Sequence, residues 1–200
     1  MNIIRISVGK CMIILEIIID VYSEMMKKSP DSYLWINTNL STLKIIRKHQ
    51  KDLQKVISSK NVGILGCFKR TTKEDFSIIT GAEEKYSLEQ FEIAKLLIEL
   101  GADFFAYVPA YVYEEGLAEE KLEGFLLELQ KVNKNLFLRL EMLKIEDFTA
   151  TKINFELAQK ERRAIPNTSQ EIVFDLWYNK LLPKFYSKSV LKKFCCEVEL

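Results

Sequence analysis

Five apolar runs, each about as long as a buried strand and each followed by a helical pattern, constrain this chain more than anything else in it. The runs are Ile3 to Val8, Tyr33 to Asn37, Val62 to Phe68, Asp103 to Pro109 and Leu136 to Leu143. Their starts lie about 30 to 40 residues apart, the cadence of successive βα units. Val62 to Phe68 is nearly unbroken in apolar character, as a parallel strand covered on both faces demands. Parallel neighbours need right-handed crossovers. Periodicity therefore predicts an α/β fold with a mainly parallel sheet, closed like a barrel or open and doubly wound.

The intervals carry helix signals. A buried helix is expected from Met12 to Lys27. Ser41 or Thr42 can cap a helix whose stripe is Leu43, Ile46, Leu53 and Ile57. Thr71 and Thr72 can cap Lys73 to Thr80, with Glu74 and Asp75 near its positive end. Ser87 to Gln90 has the spacing of a capping box and predicts a helix from there to Leu100, ended by Gly101. Ala118 to Val132 carries Leu122, Phe125, Leu126 and Leu129 as its core stripe.

Beyond Phe148 the pattern changes, so residues 1–148 form the sheet domain and 149–200 a helical C-terminal appendage. The appendage reads as a polar helix from Thr149 to Arg163, a break around Pro166, a helix carrying Val173 and Trp177, and a basic segment from Tyr186 to Cys196. Trp177 and Tyr178 are its candidate anchors for a partner.

Composition narrows the chemistry. Lys and Arg number 29 against 28 Asp and Glu, so no global charge points to nucleic acid or an acidic membrane. Four cysteines without framework spacing suit a reducing cytosol. The apolar stretch after Lys10 is too short to span a bilayer and is interrupted by Glu16 and Asp20. With one histidine, His49, neither a Ser-His-Asp triad nor a His-rich zinc site can be built. No GxGxxG or GxxxxGK[ST] is present.

Two places stand out chemically. Lys69 to Thr72 leaves the C-terminal end of the third strand, the end at which α/β folds bind ligands. Arg139 and Glu141 are two apart on a strand and share a face. They hold a polar ligand if that face lines a cavity, and form an ordinary ion pair if it does not.

The order RISVGKCMI, LWINTNL, NVGILGCFKRTTKEDFSIITGA, GADFFAYVP, LFLRLEML resembles the later part of a radical S-adenosylmethionine domain. Lys69, Thr71 or Thr72, Glu74, Asp75, Phe76, Ser77, Thr80 and Gly81 fill that superfamily's lysine-glycine-threonine to threonine-glycine pattern, with Arg70 where glycine is usual. Thr38-Asn39 matches its Thr-Asn-Gly-like turn, with Leu40 in place of the glycine. The resemblance spans residues 3 to 145 and implies a partial βα barrel, S-adenosylmethionine and a [4Fe–4S] cluster held by CxxxCxxC. This chain has no such triplet, and Lys10 replaces the glutamate that helps bind the cofactor's methionine end. Only Gly9 of that strand's Gly-Gly-Glu-Pro loop agrees.

The resemblance thus describes a truncated or degenerate domain, with no catalytic or metal-binding residue assigned. Gly9, Asn37, Asn39 and Lys69 are its candidate cofactor-binding residues, and Arg139 and Glu141 those for a substrate. No cofactor is expected in the isolated chain. The strand at Ile3 would be an unpaired edge, open to self-association or to a complementary, cysteine-bearing chain. The first expected outcome concerns iron: after anaerobic reconstitution the chain retains no cluster, and iron analysis giving about four irons per chain overturns this.

Overall fold

The computed structural model describes residues 2–7, 15–112, 115–144, 169–193 and 195–200. Five parallel strands form one sheet in the order β1 (Ile3–Ile6), β2 (Tyr33–Thr38), β3 (Val62–Cys67), β4 (Asp103–Pro109), β5 (Leu140–Leu143). Spatial order follows chain order, so the sheet winds in one direction and is not doubly wound. Among the described residues no pairing joins β1 to β5, so the sheet is open.

Consecutive right-handed crossovers place successive helices on the same face. The helices are α1 (Leu15–Lys28), α2 (Leu43–Lys48), α3 (Gln50–Ile57), α4 (Lys73–Thr80), α5 (Lys85–Glu99) and α6 (Ala118–Val132). They pack side by side, α1 on α3, α2 on α5, and α4 and α6 on α5. Strand burial alternates accordingly. Leu34, Ile36, Val62, Ile64, Phe104 and Val108 are buried beneath the helices, while Tyr33, Trp35, Asn37, Phe105 and Tyr107 are half-buried on the other face.

Several local expectations hold. Thr72 Oγ1 accepts from the Asp75 amide at 3.0 Å and starts α4. Gly81 (φ 70°) ends that helix, and Gly101 (φ 87°) follows α5. Others are corrected. The helix after β2 breaks at His49 into α2 and α3, and Thr42 precedes it at φ 73° with no side-chain cap. The helix α5 begins at Lys85, so Ser87 and Gln90 lie buried inside it and form no capping box. Leu136–Arg139 is a 3₁₀ turn, so only Leu140–Leu143 of the expected fifth strand pairs. The Asn135 amide is held by Asn133 Oδ1 at 2.8 Å, a turn that competes with extension.

The C-terminal part comprises α7 (Ser169–Asp175), a wider π turn (Leu176–Leu181), α8 (Leu182–Phe185), α9 (Lys188–Leu191) and a 3₁₀ turn (Cys195–Glu197). Val173, Trp177, Leu181 and Leu182 join the core of the sheet domain. Trp177 is fully buried against Phe125, so it is not an exposed anchor; Tyr178 is exposed. The Tyr178 hydroxyl accepts from the Met142 amide at 3.3 Å, which places this part beside β5 and not over the outer edge of β1. The expected helix from Thr149 to Arg163 lies outside the described residues.

Two glycines of the central strand β3 leave room for side chains from its neighbours, Tyr33 and Trp35 at Gly63 and Phe104 and Leu40 at Gly66. A Cβ at Gly66 would sit 2.6 Å from Phe104 Cζ and 3.0 Å from Leu40 Cδ2, both buried. Gly66→Ala is expected to destabilise the fold by about 1–3 kcal/mol through overpacking. Urea unfolding measures this, and a midpoint equal to wild type contradicts it.

Candidate functional site

Register fixes what meets on the bare face. Asn37 pairs with Leu65 and Leu65 with Phe105; nearer the C-terminal end, Cys67 pairs with Tyr107 and Tyr107 with Glu141. Below them Tyr33, Trp35 and Phe105 form an aromatic ladder with ring centroids 5.4 and 5.2 Å apart. The face is therefore aromatic toward the strand N-termini and polar toward the C-termini.

The polar end gathers three of the expected residues. Lys69 Nζ donates to Asn39 Oδ1 at 2.7 Å and to Cys67 Sγ at 3.3 Å. The Asn37 side-chain oxygen, in its hydrogen-bonded orientation, accepts from Arg5 Nη2 at 3.1 Å and from Ser7 Oγ at 3.3 Å. Burial, then the neighbouring Cys67, pushes the Tyr107 hydroxyl above the usual phenol range. Gly9 and Lys10 lie outside the described residues.

Arg139 and Glu141 are not brought together. Glu141 is exposed beside Tyr107, toward the C-terminal end. The Arg139 guanidinium turns toward the N-terminal end, where it pairs with Asp103, donates to the Val198 carbonyl and lies 4.6 Å from the Phe105 ring centroid. Asp103 also accepts from the Tyr33 hydroxyl at 2.8 Å. Burial, then that bond, raises Tyr33 above the usual phenol range. The guanidinium thus joins β4, β5 and the C-terminal segment.

A cavity of about 890 Å³ separates the bare face from the C-terminal segment. Its walls include Trp35, Leu65, Phe105, Leu182, Val190 and Val198, with Arg5, Glu141, Lys193, Cys195 and Cys196 among the polar lining. Arg139 and Glu141 both line it; Asn37, Asn39 and Lys69 lie on the neighbouring polar rim. Sequence reasoning missed Arg5, Trp35 and Phe105, although the alternation Tyr33-Trp35-Asn37 already placed one side of β2 apart.

It also missed Gln90, which arranges the rim. This buried amide donates to the Asn39 carbonyl at 2.9 Å and to the Cys67 carbonyl at 3.0 Å. Its oxygen accepts from the Lys69 amide at 3.1 Å. One side chain of α5 thereby ties the ends of β2 and β3 together. Leu40 follows at φ 50°, a left-handed backbone that favours glycine.

The described residues do not fit the groups that the resemblance implies. Among the described residues no three of His, Cys, Asp and Glu converge as metal ligands. The rim presents Arg5 and Lys69, which repel a sulfonium and an ammonium and suit an anion. No protein-family profile matches the chain, and comparisons with characterised proteins and with solved structures returned no match.

Gln90→Leu keeps the approximate volume and removes all three bonds. Two carbonyls and one amide then lose their partner, which is expected to destabilise the fold by about 2–4 kcal/mol. Denaturant unfolding reads the change, and a loss below about 0.5 kcal/mol would mean that water takes over the bonds.

Proposed function

We propose that the chain is a degenerate radical S-adenosylmethionine-like partial barrel, without an iron–sulfur cluster of its own, that binds a small, largely apolar anion on its bare sheet face. The observation that carries the reading is the 890 Å³ cavity between that face and the C-terminal segment, apolar in its walls and bordered by Arg5 and Lys193. Consecutive strand order and the capped segment Lys69 to Gly81 support the barrel-like ancestry. Cys67, Cys195 and Cys196 are free thiols, which suits a reducing cytosol.

The probe is 1-anilinonaphthalene-8-sulfonate, an aromatic anion of the right class. One saturable site per chain is expected, abolished by Leu65→Trp, which fills the cavity, with far-ultraviolet circular dichroism unchanged. Equal binding by that variant overturns the reading. S-adenosylmethionine is expected to bind weakly; a dissociation constant of about 10 µM or tighter, roughly −7 kcal/mol, contradicts the cofactor's loss.

A second reading is favoured by the edge. Among the described residues β1 has a strand partner on one side only, and Ile3 is 60% exposed. An unprotected edge recruits another chain. The barrel is then completed by a second polypeptide, as in a split enzyme, or by a second copy. Light scattering at several concentrations decides: mass rising below about 100 µM supports recruitment, and a constant monomer overturns it. A purely interaction-based role has less support, because Trp177 is buried.

A further inference from the structure

The cavity on the bare face has a length and a direction. Its lining takes in side chains from all five strands, from Ile3 and Arg5 of β1 to Leu140 and Glu141 of β5. Register sets Arg5 beside Trp35 and Leu65 beside Phe105, so the space runs across the strands and not along one of them. From Trp35 to Leu140 it crosses three interstrand gaps of about 4.8 Å, a track of about 14 Å. Along that track the sheet presents Leu65, Phe105 and Ala106, none of which carries a side-chain donor or acceptor. The wall contributed by the C-terminal segment includes Leu182, Val190, Leu191 and Val198, all branched and aliphatic. A polar occupant finds nothing to bond over this distance, and a compact aromatic one leaves most of it unfilled.

Charge distinguishes the two ends. Among the described lining residues, Arg5, Arg139 and Lys193 face a single carboxylate, Glu141. The Arg139 guanidinium is committed to Asp103 and to the Val198 carbonyl. Arg5 is exposed on the edge strand β1, at the end away from β5, beside which the C-terminal segment packs. The Asn37 oxygen accepts from Arg5 Nη2 at 3.1 Å and from Arg5 Nε at 3.2 Å, which orients the guanidinium. A guanidinium carries five N–H groups, more than one amide oxygen takes up. Glu141 stands on the opposite edge strand and repels an acid placed there. The space is thus a cationic mouth at β1 that leads into an apolar track toward β5.

We propose that the occupant is a straight-chain fatty acid of about twelve carbons, its carboxylate on Arg5 and its tail laid across β2 to β5 beneath the C-terminal segment. The chain length follows from the track at about 1.2 Å per bond of an extended chain. This rests on the reading of the cavity as a binding site for an apolar anion and adds the shape of the ligand and the place of its charge.

The test uses the full-length chain loaded with 1-anilinonaphthalene-8-sulfonate and displaces that probe with straight-chain carboxylates from hexanoate to tetradecanoate, each below its micelle-forming concentration. Displacement is expected to tighten about threefold per added methylene up to about dodecanoate and to level off beyond it. Dodecanoate is expected to bind at least about tenfold more tightly than dodecyltrimethylammonium, the same tail on a cation. Arg5→Gln narrows that ratio at least about threefold, Arg5→Lys restores it, and Lys193→Gln narrows it less than Arg5→Gln does. Probe that binds but is displaced by no carboxylate, or equally by all of them, overturns the fatty acid and leaves the cavity reading standing. Probe that fails to bind overturns the cavity reading and this inference with it. Equal affinity for the acid and the cation overturns the carboxylate, and a larger loss in Lys193→Gln than in Arg5→Gln overturns its placement at β1.

Discussion

The handedness of the crossover connection governs this molecule. Each strand feeds a right-handed turn into its helix, and the next strand returns beside the last. With strands in chain order, helix after helix lands on one layer. That layer gives the sheet a dry face, and nothing in the winding covers the other. An aromatic face left bare must be buried by something. Here the C-terminal segment does so in part, held by the bond from Arg139 to the Val198 carbonyl and by the bond that Asn135 Nδ2 donates to the Glu199 carbonyl. The space that remains is the cavity. Winding, cover and cavity therefore follow from one constraint, and the cavity needs no special device to exist.

Much of the framework was legible because it is local. Ala118–Val132 and Asp103–Pro109 follow from periodicity, and the Thr72 cap and the Gly81 and Gly101 terminators from single-residue chemistry. What escaped was set by partners far away in the chain. Gln90 looked like the far end of a capping box because spacing records no neighbours; its bonds run to Asn39, Cys67 and Lys69, 51, 23 and 21 residues away. Arg139 and Glu141 alternate correctly, yet the turn at Leu136–Arg139 and the pull of Asp103 send the guanidinium toward the other end of the sheet. Trp177 reads as an exposed aromatic until Phe125 is placed beside it.

The loop ends show a second pattern. At Leu40 the backbone keeps a left-handed turn although the side chain is leucine. That side chain is buried against the helices, so packing offsets backbone strain of order 1–2 kcal/mol. At Arg70 a long cation occupies a buried place beside Tyr111. In both cases the fold accommodates a bulky side chain at a strand end without losing the strand order.

The aromatic ladder has a consequence for observing the protein. The chain contains two tryptophans. Trp35 forms part of the cavity wall and is half-buried, whereas Trp177 is sealed in the core. Their indoles therefore sample different polarities, with the blue component of the intrinsic emission arising from Trp177 and the red component from Trp35. An occupant of the cavity perturbs only the red component, while unfolding moves both. The molecule carries its own two-colour indicator, in which occupancy and integrity are read from separate parts of one spectrum.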